Sequence, residues 1–135
     1  MLGEYKTLSA ADGREAMDIL ERQPDVDLMI LDLNMPVMDG FQVLEAMRGN
    51  DRYKDVRTII LTDYEAIDKE IRGLELGAVD FIRKPIHMES LRARIRVHTV
   101  LLAIKHALQQ QLSEQKNHSG ADFRPGSGRY RHILQ

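Results

Sequence analysis

Residues 27–48 read DLMILDLNMPVMDGFQVLEAMR, and the reading of this stretch decides the fold. Its first five residues, Asp27 to Leu31, form a nearly continuous apolar run. Such a run suits a strand buried on both faces, as in a parallel sheet with helices above and below. Asp32 follows the run directly. Phe41, Leu44 and Met47 then recur at helical spacing up to Arg48. The unit is a strand, a loop and a helix, with a carboxylate at the strand's end.

The same alternation continues on both sides. TIIL at Thr58–Leu61 and VDFI at Val79–Ile82 are strand-like, and YKTLS at Tyr5–Ser9 is a weaker fourth run. Gly13 to Gln23 reads as a helix with Ala16, Ile19 and Leu20 on one face. Asp12 is its expected cap and Glu15 its capping-box partner. Ala66 to Leu76 carries Ile67, Ile71 and Leu74 at helical spacing, and Gly77 ends it. From Met88 to Lys116 one long helical pattern runs without a breaker. The order β-α-β-α-β-α-β-α indicates an open α/β sheet with right-handed crossovers.

Composition bounds the function. The 135 residues suit one domain, or one domain with a tail. Apolar residues make up 43%, enough for a core, but with three Phe, four Tyr and no Trp that core must be aliphatic. A net charge of −2 gives no global pull toward nucleic acid or anionic membrane. Without cysteine there is no disulfide, thiolate metal site or cysteine nucleophile. No apolar run is long enough to span a bilayer, and MLGEYKTLSA lacks the pattern of a signal peptide. A cytoplasmic protein is the expectation. GxxxxGK[ST] and GxGxxG phosphate loops do not occur. His98 and His106, eight residues apart, are too distant for one helical chelate.

In an open α/β sheet, sites form at the carboxyl ends of the strands. Asp32 ends the first buried run, Thr62 ends TIIL, and Lys84 follows VDFIR and precedes Pro85. A carboxylate, a hydroxyl and an ammonium meeting there make a phosphoryl site, with the carboxylate as nucleophile and the Thr and Lys on the phosphoryl oxygens. The alternative is a cluster of solvated polar strand ends.

Here the sequence resembles the response-regulator receiver domain of two-component signalling, a CheY-like, flavodoxin-like fold. LMILDLNMPVMDGFQVLEAMR looks like the family's phosphoacceptor strand, loop and helix. TIILTD looks like the strand ending in Thr/Ser, and ELGAVDFIRKPIHMESLRARI like the strand with its aromatic, Lys-Pro and last helix. The resemblance implies that Asp32 is the phosphorylated aspartate and that Asn34 offers its backbone carbonyl to Mg²⁺. It implies that Thr62 and Lys84 bind the phosphoryl oxygens, that Phe81 is the aromatic switch residue, and that Pro85 follows a cis bond. A sensor histidine kinase is the implied donor. From the residues alone, Phe81 reads as a core residue of a buried strand, the switch role resting on the resemblance, and Met35 and Met38 read as loop packing.

The chain also departs from the family. YKTLSAADGREAMDILERQ looks like the family's second strand and helix, so the first strand, its Mg²⁺-binding acid pair and the first helix are missing. The expectation is a receiver truncated at its N-terminus, with an incomplete metal site and impaired phosphorylation. Asp39 and Asp63 are nearby acids, but neither matches a family ligand. In the family order 2-1-3-4-5 the lost strand lies between Tyr5–Ser9 and Asp27–Leu31. Its large side chains would each contribute about 1.5–3 kcal/mol. Three remedies are expected: sliding the Tyr5 strand onto Asp27–Leu31, donating it to a second copy, or pairing edge to edge. A homodimer is favoured, with segment exchange as one form it can take.

Three regions are expected: a truncated receiver at 1–100, a helical extension at 101–116 and a flexible tail at 117–135. Leu101, Ile104, Leu108 and Leu112 lie on one stripe, either a short coiled coil or a solvated linker helix. The basic residues of this helix do not form a stripe, so nucleic-acid contact is not expected. The reading is therefore a non-enzymatic signalling module. Its alternative is a phosphorylation-independent interaction module. A remote third is an Asp-nucleophile phosphatase, which would want a carboxylate where Asn34 stands.

Overall fold

The computed structural model describes residues 5–63, 66–117 and 131–132. Within them the strands are β1 (Lys6–Thr7), β2 (Leu28–Asp32), β3 (Arg57–Thr62), β4 (Asp80–Arg83) and β5 (Arg131–His132). The helices are α1 (Gly13–Arg22), α2 (Gly40–Arg48), α3 (Ile67–Glu75) and α4 (Met88–Asn117), with a 3₁₀ turn at Asp51–Tyr53. All paired strands are parallel, in the order β1-β5-β2-β3-β4.

Alternation along the strands separates two apolar layers. Met29 and Leu31 of β2 and Ile60 of β3 join Ala16, Leu20, Phe41, Val43, Leu44 and Met47. Leu28 and Ile30 of β2, Ile59 and Leu61 of β3, and Ile82 of β4 join Leu91 and Ile95 of α4. Helices thus cover both faces, and Leu91 and Ile95 pack on the sheet as their spacing implies. Lys105 pairs with Asp55 at 2.8 Å, fastening α4 just past Leu102, its last buried apolar residue.

Local chemistry fixes the helix ends. Asp12 caps α1 by accepting from the Glu15 backbone N–H, and the Glu15 carboxylate accepts from the Ala11 N–H. Asp39 and Gln42 form a reciprocal capping box on α2, both bonds at 2.9 Å. Gly77, at φ +114°, ends α3. The Gly77 N–H donates to Leu74 and the Ala78 N–H to Gly73, which closes the helix in the left-handed C-terminal manner.

Two findings go beyond the sequence reading, which gave Ile67, Ile71 and Leu74 only as residues at helical spacing. The apolar residues of α3 do not face the sheet: Ile67, Ile71 and Leu74 are exposed, whereas Glu70 and Gly73 are buried. Gly73 lets the helix axis approach β3 so closely that a Cβ there would collide with Ile60 Cδ1. The face that can come nearest wins, although it is the less apolar one.

The second finding concerns the strand expected to be missing. The position between β1 and β2 is taken by the chain's own β5, which pairs Lys6 with Arg131, Thr7 with His132, and Leu28 with His132. None of the three expected remedies is this one. An Arg-His pair carries no alternating pattern. What recruits it is the row of backbone N–H and C=O groups that β1 and β2 would otherwise leave unpaired. Apart from Asn117 at the end of α4 and this short strand, the expected flexible tail lies outside the described residues.

Candidate functional site

The register of β2, β3 and β4 brings three strand ends to one edge: Asp32 lies opposite Leu61, and Thr62 opposite Arg83. The Lys84 backbone N–H donates to the Thr62 carbonyl at 2.8 Å, so the chain leaving β4 is held beside the end of β3. The Lys84–Pro85 bond is cis. The Lys84 ammonium reaches Asp32 Oδ2 at 2.9 Å. Asp32 Oδ1 accepts from the Asn34 backbone N–H, also at 2.9 Å. Asp32 is a quarter exposed and Lys84 a third, so the pair sits in a shallow, solvent-reachable position.

Asn34 does more than turn the loop. Its side-chain amide donates to Asp63 Oδ2 at 2.7 Å, tying the loop after β2 to the residue after β3. Further along this loop, Val37 adopts φ +66° and is 81% exposed, an uncommon conformation for a β-branched residue. Gly40 then approaches Leu33 so closely that a Cβ would lie 2.8 Å from its Cα.

Thr62 stands at the end of β3, at the same edge, and its hydroxyl is engaged by Glu70 of α3. It is fully buried, and its hydroxyl donates to Glu70 Oε2 at 3.2 Å. Arg83 grips the same carboxylate with two bonds, Nε to Oε2 at 2.7 Å and Nη2 to Oε1 at 3.1 Å. The Arg83 hydrogen bond holds the Glu70 carboxyl below its ordinary range, against the opposing effect of burial; the Thr62 hydrogen bond helps. The Arg83 guanidinium also lies 5.5 Å from the Phe81 ring centroid. Phe81 is partly buried against the layer formed with α1 and α2.

The structure thus joins Asn34 and Lys84 to Asp32 directly and holds Thr62 and the cis Lys84–Pro85 bond at the same edge, whereas Phe81 packs against the apolar layer with the Arg83 guanidinium over its ring. Sequence reading did not anticipate the roles of Glu70 and Arg83. The available signal was an acid three residues before Gly73 on one helical face, opposite an arginine at a strand end. Met35 and Met38 pack against the core, as loop residues were expected to do.

A parallel sheet wound by helices on both faces, with an Asp–Lys pair at its carboxyl edge, defines a CheY-like receiver architecture. The chain belongs to the response regulator receiver domain family, whose model matches residues 2–96. It is 45% identical over 92 residues to the "Probable transcriptional regulator ycf27" of Porphyridium aerugineum, covering 68% of this chain and 37% of that protein. It is 34% identical to "Sporulation initiation phosphotransferase F" of Bacillus subtilis, covering 72% of this chain and 76% of that protein. Among solved structures, the "signal receiver domain of putative Luxo repressor protein" from Vibrio parahaemolyticus matches with TM-score 0.66 and 29% identity, over 73% of this chain and 74% of that one. CheY4 of Vibrio cholerae matches with TM-score 0.64 and 34% identity, over 70% and 78%. The chain spans roughly two fifths or less of several curated relatives, such as ycf27 and PrrA at 37% and 40%. Receiver domains of this family work with sensor histidine kinases, typically bind Mg²⁺ and are generally not enzymes. No helix among the described residues is long and apolar enough to cross a membrane.

Proposed function

We propose that the chain is a receiver module in which Asp32 accepts a phosphoryl group from a sensor histidine kinase. The observation that carries this reading is the 2.9 Å contact of Lys84 with Asp32 at the sheet edge. A carboxylate oxygen of Asp32 attacks phosphorus, the P–N bond to the donor imidazole breaks, and its electron pair leaves with the imidazole. The Lys84 ammonium offsets charge on the equatorial oxygens. Thr62 takes a second oxygen once its hydroxyl leaves Glu70, and Phe81 follows that movement.

Mg²⁺ would supply further charge neutralisation, but the donors present fit it poorly. Asp32 and the Asn34 carbonyl are the family-type oxygens, and both Asp32 oxygens already accept hydrogen bonds. Among the described residues no three His, Cys, Asp or Glu side chains gather as a metal cluster. Phosphorylation of the 135-residue chain is therefore slow. Asn34, two residues after Asp32, argues against a phosphatase.

A second reading has its own support. Val97, Leu101, Ile104, Leu108 and Leu112 are all exposed along α4. The fifteen residues after Leu102 extend about 22 Å beyond the sheet-packed part. A homodimer joined along this stripe would act without phosphorylation.

Intact mass after incubation with acetyl phosphate, with and without Mg²⁺, tests the first reading. A slowly formed adduct, weakly dependent on Mg²⁺ and absent from Asp32→Asn, is expected. No adduct on the folded protein contradicts it. Sedimentation tests the second: a clean monomer at high concentration overturns it.

A further inference from the structure

We infer that Glu70 is a positioning residue that latches Thr62 out of the phosphoacceptor site, with Arg83 as the clasp. This rests on the reading of Asp32 as phosphoacceptor and deepens it.

A threonine hydroxyl has one hydrogen to donate. Here that hydrogen is given to Glu70 Oε2 at 3.2 Å, inside the protein. It cannot serve a phosphoryl oxygen on Asp32 at the same time. The latch is built to persist. Glu70 is 4% exposed, and Gly73, one turn further along α3, seats the helix directly on Ile60 of β3. Arg83, strand partner of Thr62, holds both Glu70 oxygens, so the carboxylate is fixed in place and stays charged.

The same arrangement permits release. When Thr62 leaves, Glu70 retains two bonds from Arg83 and is not stranded as a buried, unpaired charge. The cost of release is one hydrogen bond rather than the whole network. Arg83 also faces the Phe81 ring, so a shift of the clasp reaches that aromatic residue. Thr62 is thereby a two-position switch, with Glu70 offering the resting acceptor and a phosphoryl group the active one.

The test uses the full chain in four forms: wild type, Glu70→Gln, Glu70→Met and Glu70→Met/Arg83→Met. The double variant removes both charges and keeps the test readable should Glu70→Met alone not fold. The first readout is the Thr62 χ1 rotamer in unphosphorylated protein, from NMR scalar couplings. The latch predicts one rotamer in wild type, largely kept in Glu70→Gln, whose amide oxygen still accepts, and averaged in the Met variants. A purely structural role of Glu70 would lower stability without freeing this one torsion. The second readout is the rate of adduct formation with acetyl phosphate. The Met variants should gain roughly 3- to 10-fold, the factor for one net hydrogen bond.

A single Thr62 rotamer in the Met variants, or an unchanged rate where wild type does form an adduct, overturns the latch. If no form takes an adduct, the phosphoacceptor reading fails and the rotamer alone decides the latch, averaging supporting it and a fixed rotamer refuting it.

Discussion

Arg83→Met separates the clasp from its carboxylate and gives the sharpest stability prediction. Glu70 is almost wholly buried and depends on Arg83 for two of its three hydrogen bonds. Removing one member of a fully buried ion pair costs about 3–5 kcal/mol. Arg83 is 48% exposed, so water already screens part of the pair, and the expected loss falls to about 2–3 kcal/mol. Methionine keeps an unbranched stem of similar length while removing the charge and the guanidinium that lies over Phe81. The loss should depend on pH with a definite sign. In wild type the Glu70 carboxyl titrates below its ordinary range. Its contribution is then fully present above the ordinary glutamate pKa and is lost as pH falls through the lowered folded value. In Arg83→Met, burial without a cation favours the protonated acid, so acid relieves the variant while it weakens wild type. The gap in urea-unfolding free energy should be largest near neutral pH and shrink toward about pH 4. Glu70→Met/Arg83→Met should recover most of the neutral-pH loss. A gap under about 0.5 kcal/mol, or one constant with pH, would refute the assignment of Arg83 as partner to a buried carboxylate.

Three further outcomes are expected. Val37→Asn should raise stability by about 1 kcal/mol, because asparagine tolerates the left-handed backbone that valine holds there; a lower thermal midpoint would contradict that conformation. Gly73→Ala and Ile60→Val should each cost about 1 kcal/mol, the first by crowding and the second by a lost methyl, yet the double variant should cost far less than the sum, since Ile60→Val removes the atom in the way; additive losses would place α3 elsewhere. Removing residues 118–135 should lower the urea midpoint and speed amide exchange at Lys6, Thr7 and Leu28, which flank β5; unchanged exchange would show that β5 does not hold that position.

What the sequence made legible follows from the strength of each local signal. The runs at Asp27–Leu31 and Thr58–Leu61 are buried on both faces, so their apolarity is continuous and the parallel sheet reads directly. Asp32, Thr62 and Lys84 read as a set because parallel strands bring their carboxyl ends to one edge. The α3 face did not read, because Gly73 carries no hydrophobic signal while setting the closest approach to β3. Glu70 was hidden for a related reason: a glutamate among surface-type residues looks solvated, and only its distant partner Arg83 makes burial tolerable. The β5 strand left no trace in the pattern, since its two residues are held by backbone pairing rather than by side-chain alternation.

The claim on which the rest depends is that Asp32 is the nucleophile. Borohydride reduces an aspartyl phosphate to homoserine, so the chain can be treated with acetyl phosphate, reduced, digested and mapped by peptide mass spectrometry. Homoserine at position 32, and its absence when Lys84→Ala is treated in the same way, is the predicted result. Homoserine at Asp39 or Asp63 instead, or none in a protein that has gained a phosphoryl adduct, would contradict it.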